Sequence, residues 1–365
     1  MELNYNVVSI VDILCLMQGV ILGIVLLVMN KRKERPTLFL ALFLLVNSLE
    51  LLPVILEDIN LIKYYPKLIL FPVTLGGFVF PLFYLYVQKI SIFSKSKLSY
   101  WVLYPAAVFV LIDIISVSYS TATREATWFI TLDFVNLFFS IFIGFKTIYF
   151  LNKHFNVLVN QYTSTELKDL KWARLLTYIG LSTYFIFFFM LVVEIGFYFH
   201  LTYSSFLLAL TYWVSFKGIA QLNVENLISE DTRGTLNSIQ NTTAFILVES
   251  STEEATSLLK DIEKFVIGKK AFLLPDLTIV DLSNEIGVHP KRISKIINMV
   301  CHKNFNSYVN THRINEAKEL LKANHVNNFS IEGIGYQVGF KSKSAFYQAF
   351  KKYTNTTPLN YKRDK

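Results

Sequence analysis

The sequence predicts an all-α protein in two parts: a bundle of about seven membrane-spanning helices, then a small basic helical domain. Three observations carry this. The 365 residues are 53% apolar and only 17% charged, against ~25% charged in soluble domains. The charge is unevenly placed: residues 1–220 hold 16 Lys+Arg and 12 Asp+Glu, residues 221–274 hold 5 and 8, and residues 275–365 hold 14 and 7. The helical pattern of the basic tail also occurs twice, each time broken by a glycine, Gly287 and Gly339. Such a composition excludes a disordered, collagen-like or disulfide-stapled chain. The two cysteines, Cys15 and Cys301, read as separate buried thiols.

A crossing needs roughly 20 apolar residues. Runs of that kind lie near 7–29, 37–56, 68–88, 99–120, 126–150, 175–199 and 203–220. The first follows Glu2 instead of a basic stretch and is too long for a cleaved signal peptide. Residues 175–220 are almost continuously apolar yet twice too long for one crossing. The polar group His200, Thr202, Ser204 and Ser205 therefore reads as a hairpin. Basic residues follow alternate spans: Lys31, Arg32, Lys33 and Arg35, then Lys89, Lys95 and Lys97, then Lys153, Lys168, Lys171 and Arg174. Since basic loops stay on the cytoplasmic side, the N-terminus faces out and the C-terminus faces in.

Five acids fall in the outer halves of these spans: Asp12, Glu50, Asp113, Asp133 and Glu194. Intramembrane carboxylates usually face a bundle interior or a cavity. They form a candidate outward-facing sensor pocket, with a cation as one ligand that would suit it; the alternative is five hydrated acids with no common site. There is no HExxH, no CxxC and no glycine-rich phosphate loop after a strand. The sequence therefore predicts no catalytic residue, no metal site and no cofactor.

Residues 221–275 form a polar, acidic connector. Within it Leu258, Leu259, Ile262, Phe265 and Val266 follow helical spacing over about 253–267, with Gly268 as C-cap and Pro275 as stop. The last stretch, 276–365, begins with a capping-box pair, Thr278 and Asp281, flanked by Leu277 and Leu282 as a hydrophobic staple. A short helix through Ile286 ends at Gly287, and Pro290 opens a second. Ile293, Ile296, Ile297 and Val300 make its buried stripe; Lys291, Arg292, Ser294, Lys295 and Asn298 lie opposite. A longer helix spans about 305–322, and Asn324 to Phe329 form a polar break. The pattern then recurs: Ile331, Ile334 and Val338, the break at Gly339, Phe340 in the turn, and Ser342 as cap. Phe346, Phe350 and Tyr353 face inward, while Lys343, Ser344, Tyr347, Gln348, Lys351 and Lys352 face out. A short helix, a glycine turn and a basic amphipathic helix is the format in which the second helix enters a major groove.

From about 277 to 361 the sequence resembles the AraC/XylS family of bacterial transcription regulators. The resemblance rests on Leu282-Ser-Asn-Glu-Ile-Gly-Val, Arg313-Ile-Asn-Glu-Ala-Lys-Glu-Leu-Leu, Ile334-Gly-Tyr-Gln-Val-Gly-Phe, Phe346-Tyr-Gln-Ala-Phe-Lys-Lys-Tyr, Thr357-Pro358 and Tyr361. Asn304 and Asn355 stand where the family usually has Gly, and Asn tolerates the left-handed turn. Gly335 stands where it usually has Ala, a helix cost of about 1 kcal/mol, and Gln348 where it often has Arg. The resemblance implies a monomer contacting two successive major-groove segments. Base-edge readers are then expected from Lys291, Arg292, Ser294 and Lys295 in the first unit and from Ser342, Lys343, Ser344, Tyr347 and Gln348 in the second. Lys351 and Lys352 are expected to hold the phosphate backbone.

The expectation is thus a multi-pass regulator of the bacterial inner membrane, divided 1–220 (sensor), 221–275 (connector) and 276–365 (reader). Its partners are promoter DNA, the lipid bilayer and a small-molecule or envelope signal, with RNA polymerase and a second copy of the chain as further candidates. The alternatives are a transporter or membrane enzyme with an autoregulatory tail, or a latent factor released by proteolysis within 221–275.

Overall fold

A computed structural model describes residues 5–29, 36–65, 75–93, 96–119, 127–165, 168–192, 196–221, 252–322 and 330–363. Among these residues every regular element is helical; the one β-like contact is an isolated antiparallel bridge between Tyr162 and Thr278. The chain divides into two compact units. One comprises residues 1–152 and 170–226, the other residues 153–169 and 227–365.

The first unit contains α1 (Val7–Met29), α2 (Thr37–Leu49), α3 (Leu52–Asp58), α4 (Leu61–Tyr64), α5 (Val79–Ile90), α6 (Tyr104–Tyr119), most of α7 (Thr127–Gln161), α8 (Lys171–Val192) and α9 (Phe197–Ala220). α1 packs on α2 and α9, and α2 on α5. Contact with α2 is close because Gly19 and Gly23 lack side chains: a Cβ at Gly19 would sit 1.7 Å from Ser48 Oγ. That spacing is the small-residue device by which apolar helices approach. Several hydroxyls inside the bundle bond back to their own helices. Thr147 donates to Ile143 O, Thr177 to Ala173 O and Ser215 to Thr211 O, each at 2.8 Å.

Three segments among the described residues are long and apolar enough to cross a membrane: Val7–Val28, Thr37–Asp58 and Phe134–Gln161. That is fewer than the seven expected, although helices also stand at 104–119, 171–192 and 197–220. Two of the three turn a large apolar stripe outward. On α1 it runs Ile10, Leu14, Met17, Ile21, Ile24 and Val28; on α7 it runs Phe134, Phe138, Phe142, Phe145 and Tyr149. Spacings of three and four residues keep each stripe on one face.

Several boundaries differ from expectation. The 200–205 group is not a hairpin but lies inside α9, because Thr202 Oγ1 donates back to Tyr198 O at 2.7 Å. α8 ends at Val192, and α9 begins after Gly196, whose extended backbone (ψ 162°) forms the N-cap. The second span breaks between Leu49 and Leu52, with Pro53 in the first turn of α3. The fifth runs on to Gln161 instead of ending near 150.

The second unit contains the end of α7, α10 (Thr252–Glu263), α11 (Ile279–Ile286), α12 (Pro290–Cys301), α13 (Phe305–Lys322), α14 (Ile331–Gln337), α15 (Lys343–Thr354) and α16 (Pro358–Arg363). Ala255, Leu258 and Ile262 of α10 join the core formed by α11, α12 and the start of α13. The rest of α13 forms a second core with α14 and α15. After Glu263 the connector helix widens into a π turn to Gly268, and the left-handed residue is Lys270 (φ 51°), not the expected Gly268 cap. The expected break at 324–329 lies outside the described residues.

Arg313 on α13 is 1% exposed and sits between the cores. Its Nε donates to Phe272 O at 2.6 Å and its Nη2 to Leu274 O at 2.7 Å. Burial lowers its pKa to about 10, so it remains charged at neutral pH. Arg313→Leu strands both carbonyls and should destabilise this unit by about 2–4 kcal/mol. Hydrogen exchange should report lost protection across α11 and α13, with α1 and α2 unchanged.

Candidate nucleic-acid interface

The first helix-turn-helix is set by local chemistry. Thr278 N donates to Asp281 Oδ2 at 2.7 Å, and Asp281 N to Thr278 Oγ1 at 3.3 Å, completing the capping box. Leu277 and Leu282 are buried in the same core. Gly287 takes the left-handed conformation (φ 71°) that ends α11. Pro290 opens α12, and His289 Nδ1 accepts from Lys291 N at 3.3 Å. Ile293, Ile296 and Ile297 are buried, which turns Arg292 and Lys295 outward and leaves Lys291 and Ser294 half-buried. Val300 departs from the expected stripe and is 41% exposed, since α12 ends one residue later and His302 (φ 52°) turns the chain away. Asn304 is not left-handed as expected. Its Oδ1 instead caps α13, accepting from Ser307 N at 2.8 Å.

The second unit follows the same logic. Ser330 Oγ accepts from Gly333 N at 3.0 Å to cap α14, and Ser342 Oγ accepts from Ala345 N at 3.1 Å to cap α15. Phe346 and Phe350 are fully buried, so Lys343, Ser344, Gln348, Lys351 and Lys352 are exposed and Tyr347 is half-buried. Lys343 pairs with Glu332 at 2.6 Å, and Gln348 Nε2 donates to Ser344 Oγ at 3.3 Å. Asn355 takes the expected left-handed conformation (φ 60°).

Two glycines here are required by packing. A Cβ on Gly335 would lie 2.8 Å from the Phe346 ring, so this residue is seated against that ring and not merely a poor helix former. Gly339 combines φ 94° with no room for a side chain, since a Cβ there would lie 2.7 Å from Leu273 O. Gly335→Ala should cost about 1–3 kcal/mol in spite of alanine's better helix propensity. Gly339→Ala should cost about 2 kcal/mol or more, because strain and clash coincide. Thermal melting of the variants against the parent chain checks both.

Sequence reasoning gave no sign that residues 153–169 would join this domain. The end of α7 meets α12: Asn160 Oδ1 accepts from Ser294 Oγ at 3.3 Å and from Asn298 Nδ2 at 3.2 Å. Beyond it Tyr162 and Thr163 are buried, at 2% and 3% exposure. Thr163 Oγ1 donates to Leu277 O at 2.8 Å, and Asn306 Nδ2 donates to Thr163 O at 2.6 Å and to Tyr162 O at 3.2 Å. Arg313 Nη2 reaches Thr163 Oγ1 at 3.4 Å. On the other side of α12, Arg292 pairs with Glu254 of α10 at 3.0 Å.

In the first unit the helices enclose a cavity of ≈ 270 Å³, lined mostly by apolar side chains with Asn47, Glu50, Thr183, Tyr184 and Tyr203 among them. Of the five expected acids, Glu50 lines it. Asp12 is 3% exposed, beside Ser204 on α9, and is not among its lining residues. The side chains of Asp113 and Asp133, and all of Glu194, lie outside the described residues. Among the described residues no group of His, Cys, Asp and Glu could hold a metal ion.

Residues 282–364 match a family model described as a helix-turn-helix domain, which makes this C-terminal region a domain of the AraC type. Three curated relatives align with about a quarter of the chain each. They are the HTH-type transcriptional regulator AlkR of Acinetobacter baylyi (28% identical over 86 residues), Histidine kinase P4 of Formosa agariphila (32% over 100) and an uncharacterized HTH-type transcriptional regulator in the cgkA 5′ region of Pseudoalteromonas carrageenovora (31% over 88). The alignments cover 24%, 26% and 24% of this chain and span 27%, 7% and 50% of those proteins' own lengths. A solved structure, the C-terminal domain of AraT, a response regulator from Geobacillus stearothermophilus, is 25% identical with a TM-score of 0.27, covering 30% of this chain and 85% of that one.

Proposed function

We propose that the protein is a membrane-embedded, one-component transcription regulator that reads promoter DNA through two helix-turn-helix units. The carrying observation is the repeated arrangement of α12 and α15. Each buries one apolar stripe and sets its basic and hydrogen-bonding side chains on the opposite face, at the end of a glycine turn. Lys291, Arg292 and Lys295, with Lys343, Lys351 and Lys352, supply phosphate neutralisation; Ser294, Ser344, Tyr347 and Gln348 supply base-edge chemistry. The outward apolar stripes of α1 and α7 support a lipid setting, and the basic loops support a cytoplasmic reader. The cavity at Glu50 is the place where a signal would act.

Lys291→Ala with Arg292→Ala in the full chain should weaken binding to a promoter duplex and reduce the slope of log K against log salt by about 2. Unchanged affinity and slope would show that α12 does not read. Chromatin immunoprecipitation of the intact membrane protein should recover discrete promoters.

Glu50→Gln should abolish the dependence of promoter occupancy on growth condition while leaving DNA affinity of the purified chain within about twofold. Solute flux in proteoliposomes, lost in the same variant, would favour a transporter with an autoregulatory tail.

A further inference from the structure

We infer that residues 153–165 are an intramolecular clamp on the first reading helix, competing with DNA for α12 and released when the regulator engages both half-sites. The inference rests on the reading of α12 as a DNA-binding helix. Ser294 and Asn298 lie one turn apart on the face opposite Ile293 and Ile297, where a base edge would have to be met. An asparagine amide is the group best suited to an adenine edge. In the clamped state that amide donates to Ser294 O of its own helix at 2.8 Å and to Asn160 Oδ1 at 3.2 Å, and Asn160 Oδ1 also takes the Ser294 hydroxyl. The occupant is itself a helix end. An α-helix with its side chains is about 10 Å across and the major groove about 12 Å, so helix and duplex cannot share this face.

The contact is anchored well beyond Asn160. Thr163 bonds to the backbone ahead of α11 through both its amide, at 3.3 Å to Leu277 O, and its hydroxyl. Asn306 holds the carbonyls of Tyr162 and Thr163. The return of the segment is closed by His154 Nε2 against Lys168 O at 2.9 Å, and Lys168 Nζ stands 3.9 Å above the Tyr162 ring. The two readers are treated unequally. On α15 the bonds of Lys343 and Gln348 stay within the second unit, to Glu332 and Ser344. On α12 Ser294 and Asn298 are bound by the clamp and Arg292 by Glu254 of the connector helix. Asn160 itself lies in the last turn of α7.

The test uses the full chain in lipid nanodiscs and a random-sequence 40-base-pair duplex as probe. Asn160→Ala with Thr163→Ala should tighten binding by about tenfold and steepen the salt slope by roughly 2–3, as Lys291, Arg292 and Lys295 join the contact. Adding Lys291→Ala and Arg292→Ala should remove that gain. A second measurement guards against misfolding of the loosened variant. With Asn160→Cys and Ser294→Cys in a Cys301→Ser background, oxidation should weaken binding by about tenfold and dithiothreitol should restore it. Equal affinity and slope in parent and loosened chains, with no effect of oxidation, would overturn the clamp. If the Lys291 and Arg292 substitutions still weakened binding in that case, the DNA-binding reading would stand. If neither parent nor loosened chain bound the duplex at low salt, the DNA-binding reading would fall and the clamp with it.

Discussion

The second unit depends on one buried guanidinium. Arg313 lies at the middle of α13, a helix that contributes buried residues to both cores. Its donors reach the chain ahead of the first helix-turn-helix at Phe272 and Leu274, the docked segment at Thr163, and its own helix at Asn310. Its carbon is 5.5 Å from the ring of Phe340, in the turn of the second helix-turn-helix. A buried charge is tolerated only when its hydrogen bonds are complete. The planar fork can satisfy several acceptors at once, and a lysine ammonium cannot reproduce that geometry. Where α13 puts this side chain therefore decides where both readers stand.

The parts of the reader that the sequence made legible are the ones written in a few consecutive residues. The capping box at Thr278, the proline at 290, the Ser342 cap and the paired glycines are local devices, and each appears where expected. The expectations that failed depended on alternatives to local pattern. Hydroxyls within α9 bond their own helix, so a polar cluster did not break it. Asn304 had two ways of ending a turn, and the side-chain cap prevailed over the left-handed backbone. The role of Arg313 and the docking of 153–169 had no sequence signal at all. Their partners lie 39 to 150 residues away, and nothing in the spacing of Asn160 or Thr163 distinguishes them from ordinary loop residues.

The first unit shows the same division. The long apolar helices were readable from hydropathy, but how closely they approach was not. Gly19 and Gly23 let α1 lie against α2, while a cavity beside Glu50 remains among α2, α5, α8 and α9. Its lining is mostly apolar, and its few hydrogen-bonding groups are gathered in one place.

The seating of Phe346 on Gly335 constrains the routes by which this sequence can change. An alanine at that position cannot be reached here in one step without displacing the ring. The aromatic must shrink first, which opens a void, or both codons must change together. The two positions should therefore vary as a pair across descendants of this chain, each setting the order in which the other is free to move.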